Sequence, residues 1–220
     1  MSNFIKEFLY ERRVNHYIKN LKKSNENFSN LLLKDGALKK YIKDIKSVIS
    51  IQNQIIYDSK DKGNIEHQFA KLIALRQNEL TKSVLLVINL NYTYCAIPLM
   101  RNLCDLLLLL KYVEKNPKYI KKFMRKNGRG INVWNIKTEI NDDKLKDYYG
   151  FLSYLMHSNP DSIKLNFFEL PDKRNGIMIN HSKIDSLKKD MILSLIALTS
   201  ESNIIINNIC SINWKISTSN

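Results

Sequence analysis

The segment "CAIPLMRNLCDLLLLLKYVEK", residues 95–115, is the most apolar stretch of the chain and predicts its central helix. Apolar residues lie on nearly all sides of this helix, which is typical of a helix surrounded by other helices. Pro98 is compatible with the helix only in its first turn. Arg101 and Asp105 would each cost about 2.5–3.5 kcal/mol at the centre of a bilayer. We therefore expect a buried core helix and no stable membrane insertion.

The segments on either side of the central helix also have helical periodicity. Apolar residues recur at steps of three and four over 37–57, 65–90, 141–158 and 184–210, and a charged amphipathic helix is expected over 3–23. Asn116-Pro117 ends the central helix and starts a short helix that runs to about Arg125. Residues 126–135 are predicted to form a loop, and 163–180 a loop or a small β-hairpin. The pattern predicts an all-α, antiparallel helical bundle.

Length and composition limit the number of domains and the class of fold. The 220 residues, 44% of them hydrophobic, are enough for a sizeable core. Six glycines and four prolines are few for this length, which argues against a turn-rich all-β fold. We predict an N-terminal helical hairpin over residues 1–60 and a helical bundle over residues 61–215.

Charge and cysteine content indicate the partner and the compartment. The net charge of +14 favours an acidic partner such as nucleic acid or an anionic surface. Cys95, Cys104 and Cys210 have no metal-ligand spacing, so we expect buried thiols in a reducing compartment. The segment "MSNFIKEFLYERR" lacks the uninterrupted apolar core of a signal peptide. We therefore predict a cytoplasmic protein, and the sequence indicates neither a metal nor a cofactor.

Arg101 and Asp105 are the first candidate site residues. They are four residues apart and therefore share one face of the central helix. A buried arginine must be paired and hydrogen-bonded. Two interpretations are open. The pair is purely structural, or Arg101 points at a phosphate and Asp105 holds its geometry, because the planar guanidinium donates two parallel hydrogen bonds to such an anion.

The segment "YGFLSYLMHSNPDSI", residues 149–163, carries the second candidate site. Ser153 and Tyr154 precede His157 by four and three residues, so the three share one side of the last helical turns. His157 suits general acid–base catalysis near neutral pH. It equally suits the role of a cationic partner for the helix C-terminus. Ser153 lacks the Gly-x-Ser-x-Gly turn of an activated nucleophile.

A run of basic residues follows the central helix and is the third candidate, a nucleic-acid interface. From Lys111 onward the basic residues alternate in steps of four and three, through Lys115, Lys118, Lys122, Arg125 and Arg129. Tyr112, Tyr119 and Phe123 are interleaved with them. Such a pattern can follow a nucleic-acid backbone while the aromatic rings stack on bases. The alternative is a solvated basic surface.

Two motifs resemble a family of uncharacterised bacterial helical proteins. Members carry an Arg-x-x-x-Glu helix that ends at Asn-Pro, and a later Tyr-x-x-Leu-Ser-x-x-x-His segment. Here Arg101 matches the arginine, Asp105 stands in place of the glutamate, and Asn116-Pro117 matches the helix end. The second motif is matched by Tyr149, Leu152, Ser153 and His157. The resemblance covers roughly residues 65–210.

That family is similar to the HEPN group of all-α domains, many of which are metal-independent RNases of toxin and phage-defence systems. The resemblance implies a homodimer that acts on RNA more readily than on DNA. HEPN nucleases pair an arginine and a histidine from an Arg-x4-6-His motif, whereas leucines occupy positions 106–108 here. Catalysis would therefore need His157 to meet Arg101 from another helix. The alternative is a non-catalytic module that binds nucleic acid or a protein partner in a defence or regulatory complex.

Overall fold

A computed structural model describes residues 40–57, 64–90, 92–124, 133–156, 167–169, 177–179 and 181–217. The chain divides into two units, Met1–Lys46 and Ser47–Asn220. Only residues 40–46 of the first unit are described, and there the backbone N–H of Ile45 donates to the carbonyl of Tyr41 at 3.0 Å. The N-terminal hairpin predicted over residues 1–60 lies mostly outside the described residues and stays a prediction.

The described residues contain seven α-helices and one two-stranded sheet. The helices are α1 (Ile42–Tyr57), α2 (Ile65–Asn89), α3 (Ala96–Lys115), α4 (Lys118–Phe123), α5 (Val133–Glu139), α6 (Asp143–Met156) and α7 (His181–Ser217). The strands are β1 (Phe167–Glu169) and β2 (Ile177–Ile179), which pair antiparallel with Phe168 opposite Met178. The predicted all-α bundle is confirmed, as is a small hairpin within residues 163–180.

Helix α3 is the central element of the bundle. It packs against α2, α5, α6 and α7, and its buried side chains include Met100, Cys104, Leu107 and Leu108. A 3-10 turn at Thr93–Cys95 leads into the helix, so Pro98 falls in the first turn, where no helical N–H bond is lost. Helix α3 ends as predicted at Lys115, and the Asn116 side chain donates to the Tyr112 carbonyl at 3.2 Å.

One predicted loop contains the start of a helix. Residues 126–135 were expected to be irregular, yet α5 begins at Val133. Ile136 and Ile140 are four residues apart and both are 2% exposed, so this short segment buries one apolar side while it packs on α3. Two isoleucines are too few to reveal a helical period in the sequence.

A layer of buried amide side chains joins α1, α2 and α7. Gln77 donates to the Thr199 carbonyl at 3.0 Å and to the Asn203 side chain at 3.3 Å. Asn203 donates to the Val48 carbonyl at 3.3 Å, and Asn78 donates to Gln52 at 3.0 Å. A buried amide that lost its partner would cost about 1–3 kcal/mol, so these bonds favour one register of the three helices.

Among the residues that the structure describes, two helical segments have the length and composition of a membrane span. They are Thr93–Lys115 and Asp185–Cys210, and half of each span is buried within the protein. Core helices of soluble proteins meet the same criterion, so this property decides nothing about membrane insertion. The expectation of no stable insertion stays a prediction.

Candidate anion-binding site

Arg101 lies half-buried on α3 and faces helix α6. Its Nη2 donates to the hydroxyl oxygen of Tyr149 at 2.7 Å, and its Nη1 lies 3.7 Å from the sulfur of Met156. The guanidinium carbon is 4.9 Å from the centroid of the Tyr149 ring. Tyr149 and Met156 are seven residues apart on α6 and therefore on the same side of that helix. One face of α6 thus positions the arginine.

Tyr149 connects Arg101 to Asp105. Its hydroxyl accepts from Arg101 and forms a second hydrogen bond with the Asp105 carboxyl group. The two charged residues are therefore joined through a phenol rather than by the direct ion pair that their spacing suggested. Burial raises the pKa of Asp105 above its ordinary value, against the opposing influences of Arg101, the Tyr149 hydrogen bond and Lys137. The acid that anchors this arrangement is thus partly stabilised in its neutral form.

Lys137, on α5, adds a second cation beside the same ring. Its Nζ is 3.9 Å from the Tyr149 ring centroid, a distance at which an ammonium group is attracted by the π-electrons. Burial lowers the pKa of Lys137, and the positive charges of Arg101 and Lys146 lower it further. We call Arg101, Asp105, Lys137 and Tyr149 the Tyr149 cluster.

The charges of the Tyr149 cluster favour an anionic ligand. Two cations lie within 5 Å of one ring centroid, and a third, Lys146, is close enough to influence Lys137. Asp105 is the one acid of the cluster, so its cations outnumber its carboxylate. An anion bound here would lower the mutual repulsion of the lysines and arginine. A phosphate suits the site because a guanidinium and an ammonium both donate hydrogen bonds to phosphate oxygens.

The cluster also contains polar atoms whose hydrogen-bonding capacity is unused. Arg101 Nε and Asp105 Oδ1 are buried and have no hydrogen-bond partner among the described residues. Each such atom costs about 1–3 kcal/mol relative to a bonded one. Unsatisfied groups of this kind are uncommon in native proteins, and a bound water or ion is one way in which they are satisfied.

The structure separates the other predicted residues of α6. The Ser153 hydroxyl donates to the Tyr149 carbonyl at 2.8 Å, so its proton is engaged in the helix. Tyr154 is exposed and lies about 140° around α6 from Tyr149. His157, the predicted acid–base residue, lies outside the described residues. The structure therefore places Arg101 and Asp105 together, with Ser153 nearby and Tyr154 on another face.

The predicted nucleic-acid interface is partly visible. Lys115, Lys118 and Lys122 are exposed, whereas Arg125 and Arg129 lie outside the described residues. Lys122 Nζ is 5.2 Å from the Tyr119 ring, and that ring stacks edge-to-face on Tyr112 at 5.2 Å. Lys111, the first residue of the run, is instead bonded to Asp142 at 2.6 Å and to Glu201. The exposed lysines form a basic surface, and its ligand stays a prediction.

Two members of the Tyr149 cluster were not candidate site residues from the sequence. Tyr149 was recognised as a motif position, but nothing local showed that it binds Arg101, 48 residues earlier. Lys137 is one lysine in a lysine-rich chain, in a segment where no helix was expected. The folded arrangement of α3, α5 and α6 is what distinguishes it.

Comparisons with known proteins identify no relative for this chain. No protein-family model matches it, nor does any curated protein or solved structure. The likeness to HEPN domains therefore stays a prediction from the two motifs. Within the part of the chain that the structure describes, no group of three or more His, Cys, Asp or Glu side chains is placed to hold a metal ion.

We predict that Tyr149→Phe destabilises the protein by about 1–3 kcal/mol, because Arg101 and Asp105 both lose the hydroxyl that connects them. The matched control is Tyr154→Phe, an exposed tyrosine on the same helix, which should change the free energy of unfolding by less than about 0.5 kcal/mol. Urea denaturation followed by circular dichroism measures both. Equal losses in the two variants would show that the hydroxyl of Tyr149 has no special role.

We expect Asp105 to make stability decline as pH rises. Burial raises its pKa above 3.8, so its contribution to folding is complete below pH 3.8 and is lost as pH rises through the raised pKa. The measurement is the free energy of unfolding against pH for wild type and for Asp105→Asn, which cannot ionise. The wild-type value should fall relative to the variant over that window.

Asp142 supplies a control of opposite sign for this experiment. Burial opposes its ionisation, but the hydrogen bonds from Lys111 and the Leu145 N–H outweigh burial and lower its pKa below 3.8. Relative to Asp142→Asn, the wild type should therefore lose stability as pH falls from 3.8 through the lowered pKa. Slopes of the same sign for the two residues would contradict the assigned environments.

Proposed function

We propose that this protein binds RNA, with a backbone phosphate at the Tyr149 cluster, and cleaves it without a metal ion. The observation that carries the proposal is the arrangement of Arg101 and Lys137 around one tyrosine ring. Two cationic side chains are held beside the ring before any ligand binds. Such preorganisation lowers the entropic cost of binding an anion.

The exposed lysines extend the proposed binding surface. Arg101 and Lys115 are fourteen residues apart on α3, which corresponds to about 21 Å along the helix. Lys118 and Lys122 continue the basic surface on α4, with Tyr119 beside them. A single RNA strand of a few nucleotides is long enough to contact both ends, with phosphates on the cations and a base on the tyrosine.

The cleavage step of the proposal uses His157 and Arg101. His157 acts as general base or acid on the ribose 2′-hydroxyl or the leaving oxygen, because an imidazole transfers protons near neutral pH. Arg101 stabilises the negative charge that develops on the phosphorus-bound oxygens. Support comes from the motif resemblance and from the geometry of Arg101. The same resemblance suggests a homodimeric toxin or phage-defence effector in the cytoplasm.

A non-catalytic binding module is the second candidate function. It is favoured by the intramolecular bonds of Arg101, since a guanidinium bonded to Tyr149 is already partly satisfied. In that case the Tyr149 cluster fixes the packing of α6 on α3, and RNA or a protein partner binds the exposed lysines. The two candidates differ in whether the RNA is cleaved and in whether removal of Lys137 alters its binding.

We predict that Lys137→Gln weakens binding of a fluorescent single-stranded RNA and reduces the salt dependence. One lost phosphate contact lowers the slope of log affinity against log salt by about 0.7. Fluorescence anisotropy in the presence of a metal chelator measures both quantities. The control is Lys189→Gln, an exposed lysine on α7, which should leave the slope unchanged. Identical slopes for Lys137→Gln and wild type would exclude the Tyr149 cluster as a phosphate site.

We predict that the wild-type protein cleaves the same RNA in the presence of the chelator. His157→Ala should abolish cleavage and leave the affinity for RNA nearly unchanged, because the histidine transfers protons and does not hold the phosphate. Gel electrophoresis of end-labelled RNA gives the rate. If pure wild-type protein binds RNA without cutting it, the catalytic proposal fails and the binding module remains.

A further inference from the structure

The layer of buried amides between α1, α2 and α7 contains polar atoms with unused hydrogen-bonding capacity. Four side-chain atoms of the layer have no hydrogen-bond partner among the described residues: Gln52 Nε2, Gln77 Oε1, Asn78 Oδ1 and Thr81 Oγ1. The three amide residues are 0% exposed and Thr81 is 2% exposed, so bulk solvent does not reach these atoms. A buried polar group without a partner costs about 1–3 kcal/mol, and ordered water is the usual remedy.

The geometry of α2 directs three of these residues towards one space. Successive residues of an α-helix are about 100° apart around its axis, so Gln77 and Asn78 diverge by that angle. Gln77 reaches α7, and Asn78 reaches α1. Thr81 lies about 40° from Gln77 and about 60° from Asn78, one turn further along the helix. The Cβ of Thr81 is therefore directed between α1 and α7.

Helix α1 leaves room for a small molecule in this space. The backbones of α3 and α7 approach α2 closely, whereas that of α1 approaches α2 and α7 less closely. Gln52 and Asn78 bridge the wider gap end to end, with Asn78 Nδ2 and Gln52 Oε1 3.0 Å apart. The gap is thus spanned by amide groups. A single water has a volume of about 30 Å³ in the liquid and needs two to four polar neighbours.

Exchanging the oxygen and nitrogen atoms of the two amides does not remove the unused capacity. If both side chains were turned, Gln52 would donate to Asn78, and one nitrogen and one oxygen would again be free. Turning only one of them would place like atoms against each other. Every hydrogen-bonded arrangement of this pair therefore leaves one donor and one acceptor for a further molecule.

We infer that the amide layer binds one ordered water molecule between α1, α2 and α7. This water donates to Gln77 Oε1 and Asn78 Oδ1, and it accepts from Gln52 Nε2 and the Thr81 hydroxyl. Two acceptors, one amide donor and one hydroxyl match the two donors and two acceptors of a single water. A cation fits less well, because the N–H group of Gln52 would repel it. The inference is independent of the proposed function, because the Tyr149 cluster lies on α3, α5 and α6.

The first test is a high-resolution crystal structure of the unaltered protein. We expect one peak of electron density at about 2.6–3.2 Å from at least three of the four atoms. A second crystal, soaked in rubidium chloride, distinguishes water from a monovalent cation, because rubidium scatters X-rays anomalously and water does not. The inference would be overturned if no such peak were present, or if an anomalous rubidium peak stood in its place.

The second test counts long-lived waters in solution by the magnetic relaxation dispersion of ¹⁷O. Thr81→Ser keeps the hydroxyl and should give the same count as the wild-type protein. Thr81→Val puts a methyl group in place of the hydroxyl, which removes one bond to the water, and should give one water fewer. Circular dichroism checks that both variants keep their helices. Equal counts in the two folded variants would contradict the proposed bonds, and the crystal structure of the wild-type protein decides the matter without a variant.

Discussion

The hydrogen bond from Arg101 to the Tyr149 hydroxyl is the contact on which the arrangement around α3 depends. Helix α3 is enclosed by four other helices, so a charged side chain on it must find polar partners within the protein or reach the surface. Arg101 finds a phenol oxygen at 2.7 Å and a sulfur at 3.7 Å, both on one face of α6. The contact thus adds a polar constraint to the side of α6 that already faces the core through Leu145, Leu152 and Leu155.

The bundle contains two polar arrangements with different consequences. The amide layer of Gln77, Asn78, Gln52 and Asn203 is neutral and fully buried, and it makes one register of α1, α2 and α7 favourable. The Tyr149 cluster is half-buried and carries an excess of positive charge. An excess of charge is not needed to fix the register of packed helices, because the neutral amide layer fixes it for α1, α2 and α7. The surplus cation is the property on which the proposal of phosphate binding rests.

The sequence predicted those features that depend on local pattern. The apolar run of α3 identified the core helix, Asn116-Pro117 marked its end, and the turn residues near Pro171 allowed the hairpin. Arg101 and Asp105 were recognised as one face because four residues make about one helical turn. Contacts between distant segments were not predictable in this way. Spacing along one helix does not predict that the Tyr149 hydroxyl lies between the two charges or that Lys137 lies beside the ring. Both positions depend on how α5 and α6 pack on α3.

The guanidinium group of Arg101 offers the most direct test of the central claim, that the Tyr149 cluster binds a backbone phosphate. Arg101 Nε is buried, so its proton should exchange slowly enough with water to be observed by ¹H–¹⁵N NMR. The signal is assigned by its loss in Arg101→Lys and followed during titration with the dinucleotide UpU or with uridine. The account predicts a saturable shift with UpU and none with uridine, which lacks a phosphate. An Arg101 signal that does not move with UpU, while longer RNA binds the protein, would place the phosphates elsewhere and contradict the account.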